Sequence, residues 1–365
     1  MIAAISIIIP TYKEVSTLPH LIKALCVLEK EYQIELLIMD DNSQDGTEEL
    51  IHSLNLPWVR LIVRHKDRGL SPAVIEGFTY AKHEIIVVMD ADLSHPPEAI
   101  PKMVELLHSQ YDFVIGSRYV SGASTDLNWS FFRYINSKVA CLLAAPLTSI
   151  KDPMSGFFAF KKSLLDSIKN LNPVGYKICL ELLVKSHSTK VIEIPIHFKD
   201  REFGETKLSI WEQLKYIKHL RRLFLYSYPE TSYLLQFMAI GFLGIFVNLF
   251  FLTIALREGF EIETSIIIGI GASIVSNFVL DRRFAFSYAR QGKISSQFLG
   301  FVAVCLIGAF INFHIAMAIL TYFPSTVPQI AELAGIFIAT FFNYSICRFF
   351  IFNKDQKSRQ SQNSP

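Results

Sequence analysis

The sequence predicts a doubly wound α/β domain with a mostly parallel sheet, followed by an all-α membrane domain of four helices. Short apolar runs alternate with helical periodicities through the first half of the chain. Polar, acidic clusters stand where those runs end, the edge at which such sheets bind ligands. Beyond Thr231, charge disappears over stretches long enough to cross a bilayer. Of 365 residues 51% are hydrophobic and only 19% charged, against about a quarter charged in average soluble domains. Lys plus Arg is 35 and Asp plus Glu 33, a formal charge of +2 that argues against nucleic acid as a partner. The apolar content excludes disorder outside the tail.

The first run, residues 4–10 (A-I-S-I-I-I-P), has the unbroken apolar character of a strand buried on both faces. Similar runs end at Met39, Val63, Met89 and Ile115, with helical patterns over residues 17–30, 70–81 and 97–109 between them. The strand ends carry Thr11-Tyr12-Lys13-Glu14, Asp40-Asp41-Asn42-Ser43, Asp90-Ala91-Asp92 and Gly116-Ser117-Arg118. A purely structural sheet gives no reason for carboxylates at three strand ends. No GxGxxG or Walker sequence is present, which argues against dinucleotide and P-loop chemistry. The five cysteines form no CxxC pair and no zinc spacing, and the first ten residues lack the basic start of a signal peptide.

Asp90-Ala91-Asp92 is the sharpest local feature. Two carboxylates two residues apart at a strand end suit a hard divalent cation that shares its other positions with phosphates. Taken alone, the same residues also suit a turn with capping aspartates before Pro96-Pro97.

Taken together, seven strings decide between these readings: P-T-Y-K-E at 10–14, D-D-N-S-Q-D-G-T at 40–47, G-L-S-P-A-V-I-E-G-F at 69–78, M-D-A-D-L-S-H-P-P-E at 89–98, G-S-R-Y-V-S-G at 116–122, D-P-M-S-G-F-F-A at 152–159 and G-E-T-K-L at 204–208. In this order and spacing they resemble glycosyltransferase family 2, with its GT-A fold, and more closely the polyprenyl-phosphate (dolichol-phosphate) mannose synthases. The resemblance spans about residues 4–225, and residues 231–353 resemble the GtrA-like membrane family.

That resemblance implies inverting, metal-dependent transfer of mannose from GDP-mannose to a polyprenyl phosphate. Pro10, Tyr12, Glu14, Met39 and Asp41 would line the nucleotide. Asp90, Asp92 and Ser94 would hold Mg²⁺ or Mn²⁺, Ser94 standing where the family usually has Gln. Lys13 likewise replaces the family's Asn. Arg118, Arg133, Ser137, Arg201 and Lys207 would hold the acceptor phosphate, with Asp92, Arg118 and Arg133 central to catalysis. A lipid monophosphate is already anionic, so it needs no strong base. The obstacle is bringing it beside a diphosphate, which fixed arginines and a cation offset. Two competing expectations are a UDP-sugar donor with the same acceptor and movement of a lipid-linked sugar by the membrane helices.

The expected organisation is a catalytic domain over 1–207, an interfacial amphipathic segment over 208–230, four transmembrane helices over 231–353 and a disordered tail over 354–365. Trp211, Leu214, Ile217, Leu220 and Phe224 recur at near-helical spacing among Lys215, Lys218, Arg221 and Arg222, which suits either a helix on the bilayer surface or one packed against the domain. Arg282, Arg283, Arg290 and Lys293 lie between the second and third spans, and Arg348, Lys354, Lys357 and Arg359 follow the fourth. That asymmetry places both termini and the catalytic domain in the cytoplasm. The membrane half also repeats. Residues 277–286 and 343–352 both fit N-x4-R-x3-F, and Gly244-x3-Asn248 is echoed by Gly308-x3-Asn312, so two parallel two-helix units are expected. The asparagines suit either a glued bundle or a transport path, and Arg282 and Arg348 suit either snorkelling to headgroups or a shared lipid phosphate.

Overall fold

The computed structural model describes residues 3–126, 131–172, 175, 177–199 and 210–353, and the chain divides into two compact units at Ser227–Tyr228. Arg201, Lys207, the G-E-T-K-L string and the tail lie outside the described residues.

Among the described residues of the first unit, nine strands form: β1 (Ala4–Thr11), β2 (Gln33–Asp40), β3 (Val59–Val63), β4 (Ile85–Val88), β5 (Phe113–Ser117), β6 (Ser124–Thr125), β7 (Phe158–Lys161), β8 (Val191–Pro195) and β9 (His197–Phe198). Seven of them make one sheet in the order β3-β2-β1-β4-β7-β5-β8, and β6 pairs with β9. β1 is central, with Ile7 in register with Leu36 on one side and Val87 on the other. Its alternate side chains enter two cores. Ile5, Ile7 and Ile9 pack under α1 (Leu18–Leu25), α2 (Thr47–Leu54) and α4 (Ile100–Ser109). Ile8 packs under α3 (Leu70–Tyr80) and α6 (Ile178–Ser186). Burial on both faces explains why these strands are apolar throughout.

Strand order reverses at β1: the chain leaves β1 for β2 on one side and returns to β4 on the other. The crevice beyond the carboxyl ends of β1 and β4 is therefore where a ligand would enter. β7 is the exception to the parallel sheet. It runs antiparallel to both neighbours, with Phe158 opposite Val88 and Ile115. Because β7 runs backwards, the segment before it, residues 152–157, arrives at the same edge as Asp90 and Arg118.

The unit is completed by α5 (Phe131–Ala144) and α7 (Ile210–Ser227). Gln213 Nε2 donates to Asn136 Oδ1 (2.9 Å) and Tyr216 Oη to the Ala140 carbonyl (2.6 Å), tying the two helices together. The face of α7 against the domain is Tyr216, His219 and Leu223, all buried. The stripe read from sequence divides instead: Leu220 packs inward, while Trp211, Leu214 and Ile217 are 70%, 52% and 57% exposed. The helix is apolar on two faces because it packs with one and leaves the other open.

The second unit holds α8 (Pro229–Arg257), α9 (Ile262–Leu280), α10 (Ile294–Tyr322) and α11 (Pro328–Ile346), which give four spans long and apolar enough to cross a membrane. Together with the family match reported below, these spans make the chain a membrane protein. The repeat has a packing basis. A Cβ on Gly244 would lie 2.5 Å from the Asn277 amide, and one on Gly269 2.4 Å from Asn248 Oδ1. In the other pair a Cβ on Gly308 would lie 2.3 Å from Asn343 Oδ1, and one on Gly335 2.3 Å from Asn312 Oδ1. Each two-helix unit is thus closed by two crossed Gly–Asn contacts, the close approach small residues allow in apolar surroundings. Both N-x4-R-x3-F strings end in a π-helical turn, Asp281–Ala285 and Cys347–Ile351. Their last residues, Phe286 and Phe352, stack on each other at 4.7 Å and 14°. Arg282 bonds Gln297 (2.8 Å), and Arg348 bonds Glu230 (2.6 Å) and Tyr288 (2.8 Å), so within this unit both arginines serve as helix ties.

Candidate active site

A cavity of about 730 Å³ opens at the strand reversal. Of the residues singled out from sequence, Pro10, Tyr12, Glu14, Asp41, Asp90, Asp92, Arg118, Arg133 and Ser137 line it. Met39 is fully buried in the core beneath, and Ser94 is 1% exposed behind Asp92.

Each side chain is held by its own loop. Asp41 is 7% exposed, with Arg64 bonded to one oxygen and the Gly69 amide donating to the other at 2.6 Å. It therefore anchors the 64–70 loop that forms one wall. Lys13 sits at φ 59°, a left-handed conformation that Asn adopts more readily than Lys. Its amide donates to Ser43 Oγ at 2.8 Å, and Ser43 in turn bonds Asp40. The acidic string at 40–47 is thus largely a web that fixes the loops.

Asp92 is 5% exposed, and its Oδ1 accepts from the Ser94 amide (3.1 Å) and hydroxyl (2.6 Å). Leu93, at φ 62°, makes the turn that closes this contact. Bulky residues rarely adopt this conformation, and such strain collects at functional sites. Ser94, expected as a metal ligand, is placed to orient Asp92. Asp90 is set by His95, whose Nδ1 accepts the Asp90 amide at 3.1 Å and whose Nε2 lies 3.9 Å from Asp90 Oδ2. His95 is pinned by stacking on Phe157 at 5.3 Å. Gly156 lies against both: a Cβ there would be 3.0 Å from Asp90 Oδ2 and 3.1 Å from His95 Cε1.

Arg118, which lines the same cavity, is gripped by the fully buried Asp152. The carboxylate accepts from Nε (2.8 Å), Nη2 (2.7 Å) and the Arg118 amide (3.0 Å). Burial opposes the charge on Arg118, but the hydrogen bonds and charge of Asp152 outweigh it and hold the guanidinium firmly protonated. Asp152 is fixed in turn by its amide donating to Glu193 (2.9 Å). Ser137 Oγ accepts from Tyr119 Oη (2.7 Å), and burial pushes that phenol up to about 12. Lys177, just ahead of α6, also lines the cavity.

His95, Asp152 and Gly156 fall inside the family-like strings, but nothing in the sequence signals their roles. Lys177 has no sequence signal at all, since a single Lys in V-G-Y-K-I carries no pattern.

The arrangement gathers two carboxylates, Asp90 and Asp92, and the basic Arg118, Arg133 and Lys177 around one void. Among the described residues no three His, Cys, Asp or Glu side chains converge as a complete metal site. The donor set is thus two hard carboxylates open to the cavity, which fits a divalent cation completing its shell with phosphate oxygens.

Comparison with known proteins agrees with this architecture. Residues 6–169 match the model "Glycosyl transferase family 2", and residues 236–352 match "GtrA/DPMS, transmembrane domain". The dolichol-phosphate mannosyltransferase of Pyrococcus furiosus is 38% identical over 349 residues, covering 94% of this chain and 98% of that protein. The enzymes of that name from Mycosarcoma maydis and Saccharomyces cerevisiae are both 39% identical, covering 66% and 63% of this chain and 86% and 90% of theirs. Among solved structures, glucosyl-3-phosphoglycerate synthase from Mycobacterium tuberculosis aligns with a TM-score of 0.47 at 20% identity, over 62% of this chain and 78% of that one. Matched along nearly its whole length by a relative of that name, the chain belongs to the dolichol-phosphate mannosyltransferase family of GT-A, family 2 glycosyltransferases, with the GtrA/DPMS transmembrane domain.

Proposed function

We propose that the protein transfers mannose from GDP-mannose to the phosphate of a polyprenyl lipid, with inversion at the sugar C1 and with Mg²⁺ or Mn²⁺. The observation that carries this reading is that Asp90 and Asp92 line the same cavity as Arg118, Arg133 and Ser137. The names of the relatives support the substrate class.

Pro10, Tyr12, Glu14 and Asp41 receive the nucleoside, with Met39 packed beneath. Asp90 and Asp92 hold the cation, Ser94 keeping Asp92 in place. The cation, when bound, offsets the charge gathering on the departing nucleoside diphosphate. Arg118, Arg133 and Ser137, joined by Arg201 and Lys207, orient the lipid phosphate, and paired guanidinium donors match its oxygens. A phosphate oxygen attacks C1 as the bond from C1 to the diphosphate breaks, and no proton has to be removed first. Asp152 contributes by keeping Arg118 charged and aimed.

The exposed Trp211, Leu214 and Ile217 of α7, with Phe131, Phe132, Ile135 and Leu142 of α5, form the face that rests on the bilayer. The excess of Lys and Arg in the loops between the second and third spans and after the fourth supports a cytoplasmic side for this face and for both termini.

Purified protein in detergent, given labelled GDP-mannose and a polyprenyl phosphate, should yield lipid-linked mannose in preference to any product from UDP-glucose. Asp92→Ala should abolish it. Equal transfer from UDP-glucose would overturn the donor assignment, and an undiminished Asp92→Ala would overturn the cation site.

A further inference from the structure

We infer that Lys177 is a binding residue for the acceptor phosphate, an inference that rests on the proposed transfer reaction. Lys177 lines the cavity, yet among the described residues its ammonium has no hydrogen bond and no ion pair. Its recorded contact is a ring, with Nζ 5.8 Å from the centre of Tyr216.

The anions around it are already committed. Asp152 is taken by Arg118 at 2.7 Å and Glu212 by Lys215 at 2.7 Å. Cys141 is neutral, since burial pushes its thiol up to about 11. The Arg118–Asp152 pair has no net charge, so it offers direction more than potential. Lys177 is therefore a net positive charge on this wall, and a partly buried ammonium without a fixed partner is costly unless an anion arrives.

Position selects which anion. Tyr216, beneath the ammonium, donates to the Ala140 carbonyl, and Ala140 lies on α5 with Arg133 and Ser137 in the same cavity wall. The donor diphosphate belongs to the wall of Asp90 and Asp92. The anion that reaches Lys177 is the lipid monophosphate, and the ammonium adds a charge-assisted hydrogen bond beside the guanidinium donors. Burial, and then the like charge of Arg118, hold the Lys177 pKa below its ordinary value, opposed by Cys141, Asp152 and Glu212. Acceptor binding should accordingly weaken on the alkaline side earlier than an exposed lysine would dictate.

Steady-state kinetics of the full chain in detergent, with GDP-mannose and a short-chain polyprenyl phosphate, test this. Lys177→Gln should raise the acceptor KM about tenfold or more, the loss of one charged hydrogen bond, and leave the donor KM unchanged. Lys177→Arg should restore most of the affinity and flatten the alkaline rise in acceptor KM. An unchanged acceptor KM in Lys177→Gln, or a donor KM that rises in step with it, overturns the assignment. Wild-type protein that makes no mannosyl lipid overturns the underlying reaction instead, which separates the two failures.

Discussion

Gly156→Ala isolates how closely Asp90 must be held. Gly156 is not in the left-handed region, so alanine brings no backbone strain there. Its only effect is the methyl group, 3.0 Å from Asp90 Oδ2 and 3.3 Å from Oδ1, with His95 Cε1 at 3.1 Å. Ordinary contact begins at 3.4 Å, so the nearer oxygen must retreat by 0.4 Å. His95 Cε1 must give as well, but its ring is stacked on Phe157, so most of the adjustment falls on the carboxylate. A 1 Å misplacement costs on the order of a hundredfold in rate, so 0.4 Å corresponds to roughly fivefold to tenfold. Overpacking at such a site costs about 1 kcal/mol of stability, too little to unfold the unit. The assay is mannosyl transfer at fixed acceptor across a Mn²⁺ titration, with thermal melting alongside. We expect kcat/KM to fall within that range, the half-saturating Mn²⁺ concentration to rise and melting to change little. Gly241→Ala, where nothing lies within 4 Å, is the matched control. Wild-type activity and Mn²⁺ dependence in Gly156→Ala would refute the idea that this glycine exists to seat Asp90.

Three further outcomes follow from the geometry. Asp152→Asn puts an amide donor against the Arg118 guanidinium and strands a buried cation, so melting should drop by the equivalent of about 3–5 kcal/mol and the acceptor KM should rise. Gly308→Ala, with its methyl 2.3 Å from Asn343 Oδ1, should destabilise the α10–α11 pair by about 1–3 kcal/mol in detergent melts, and adding Asn343→Ala should recover most of that loss. His219 is 1% exposed, and burial pushes its pKa down to about 4 from 6.5, with Glu181 opposing. The folded imidazole resists protonation that the unfolded chain accepts, so this contribution is intact above pH 6.5 and is lost as pH falls towards 4. It amounts to about 2–3 kcal/mol at pH 4.5, and His219→Gln should flatten that acid limb in melting curves taken from pH 7 to 4.5.

The sequence by itself determined the α/β class, the central strands and the polar edge where ligands enter. A strand buried on both faces must be apolar throughout, so β1, β2 and β4 stood out, and Asp41, Asp90 and Arg118 were conspicuous against that background. The four membrane spans were legible for a similar reason, because hydrocarbon tolerates almost no charge over such lengths. Four things had to wait for tertiary structure. β7 inserts backwards between β4 and β5, a pairing with no local periodicity, and this alone brings Asp152 and Gly156 to Asp90 and Arg118. The second apolar face of α7 emerges only once Tyr216, His219 and Leu223 are seen to pack on the domain. The Gly–Asn pairs of the repeat read as spacing in the sequence and as crossed contacts in space. Lys177 acquires meaning only when Asp152 and Glu212 are found already occupied, because whether a charge is compensated depends on distances between residues far apart in the chain.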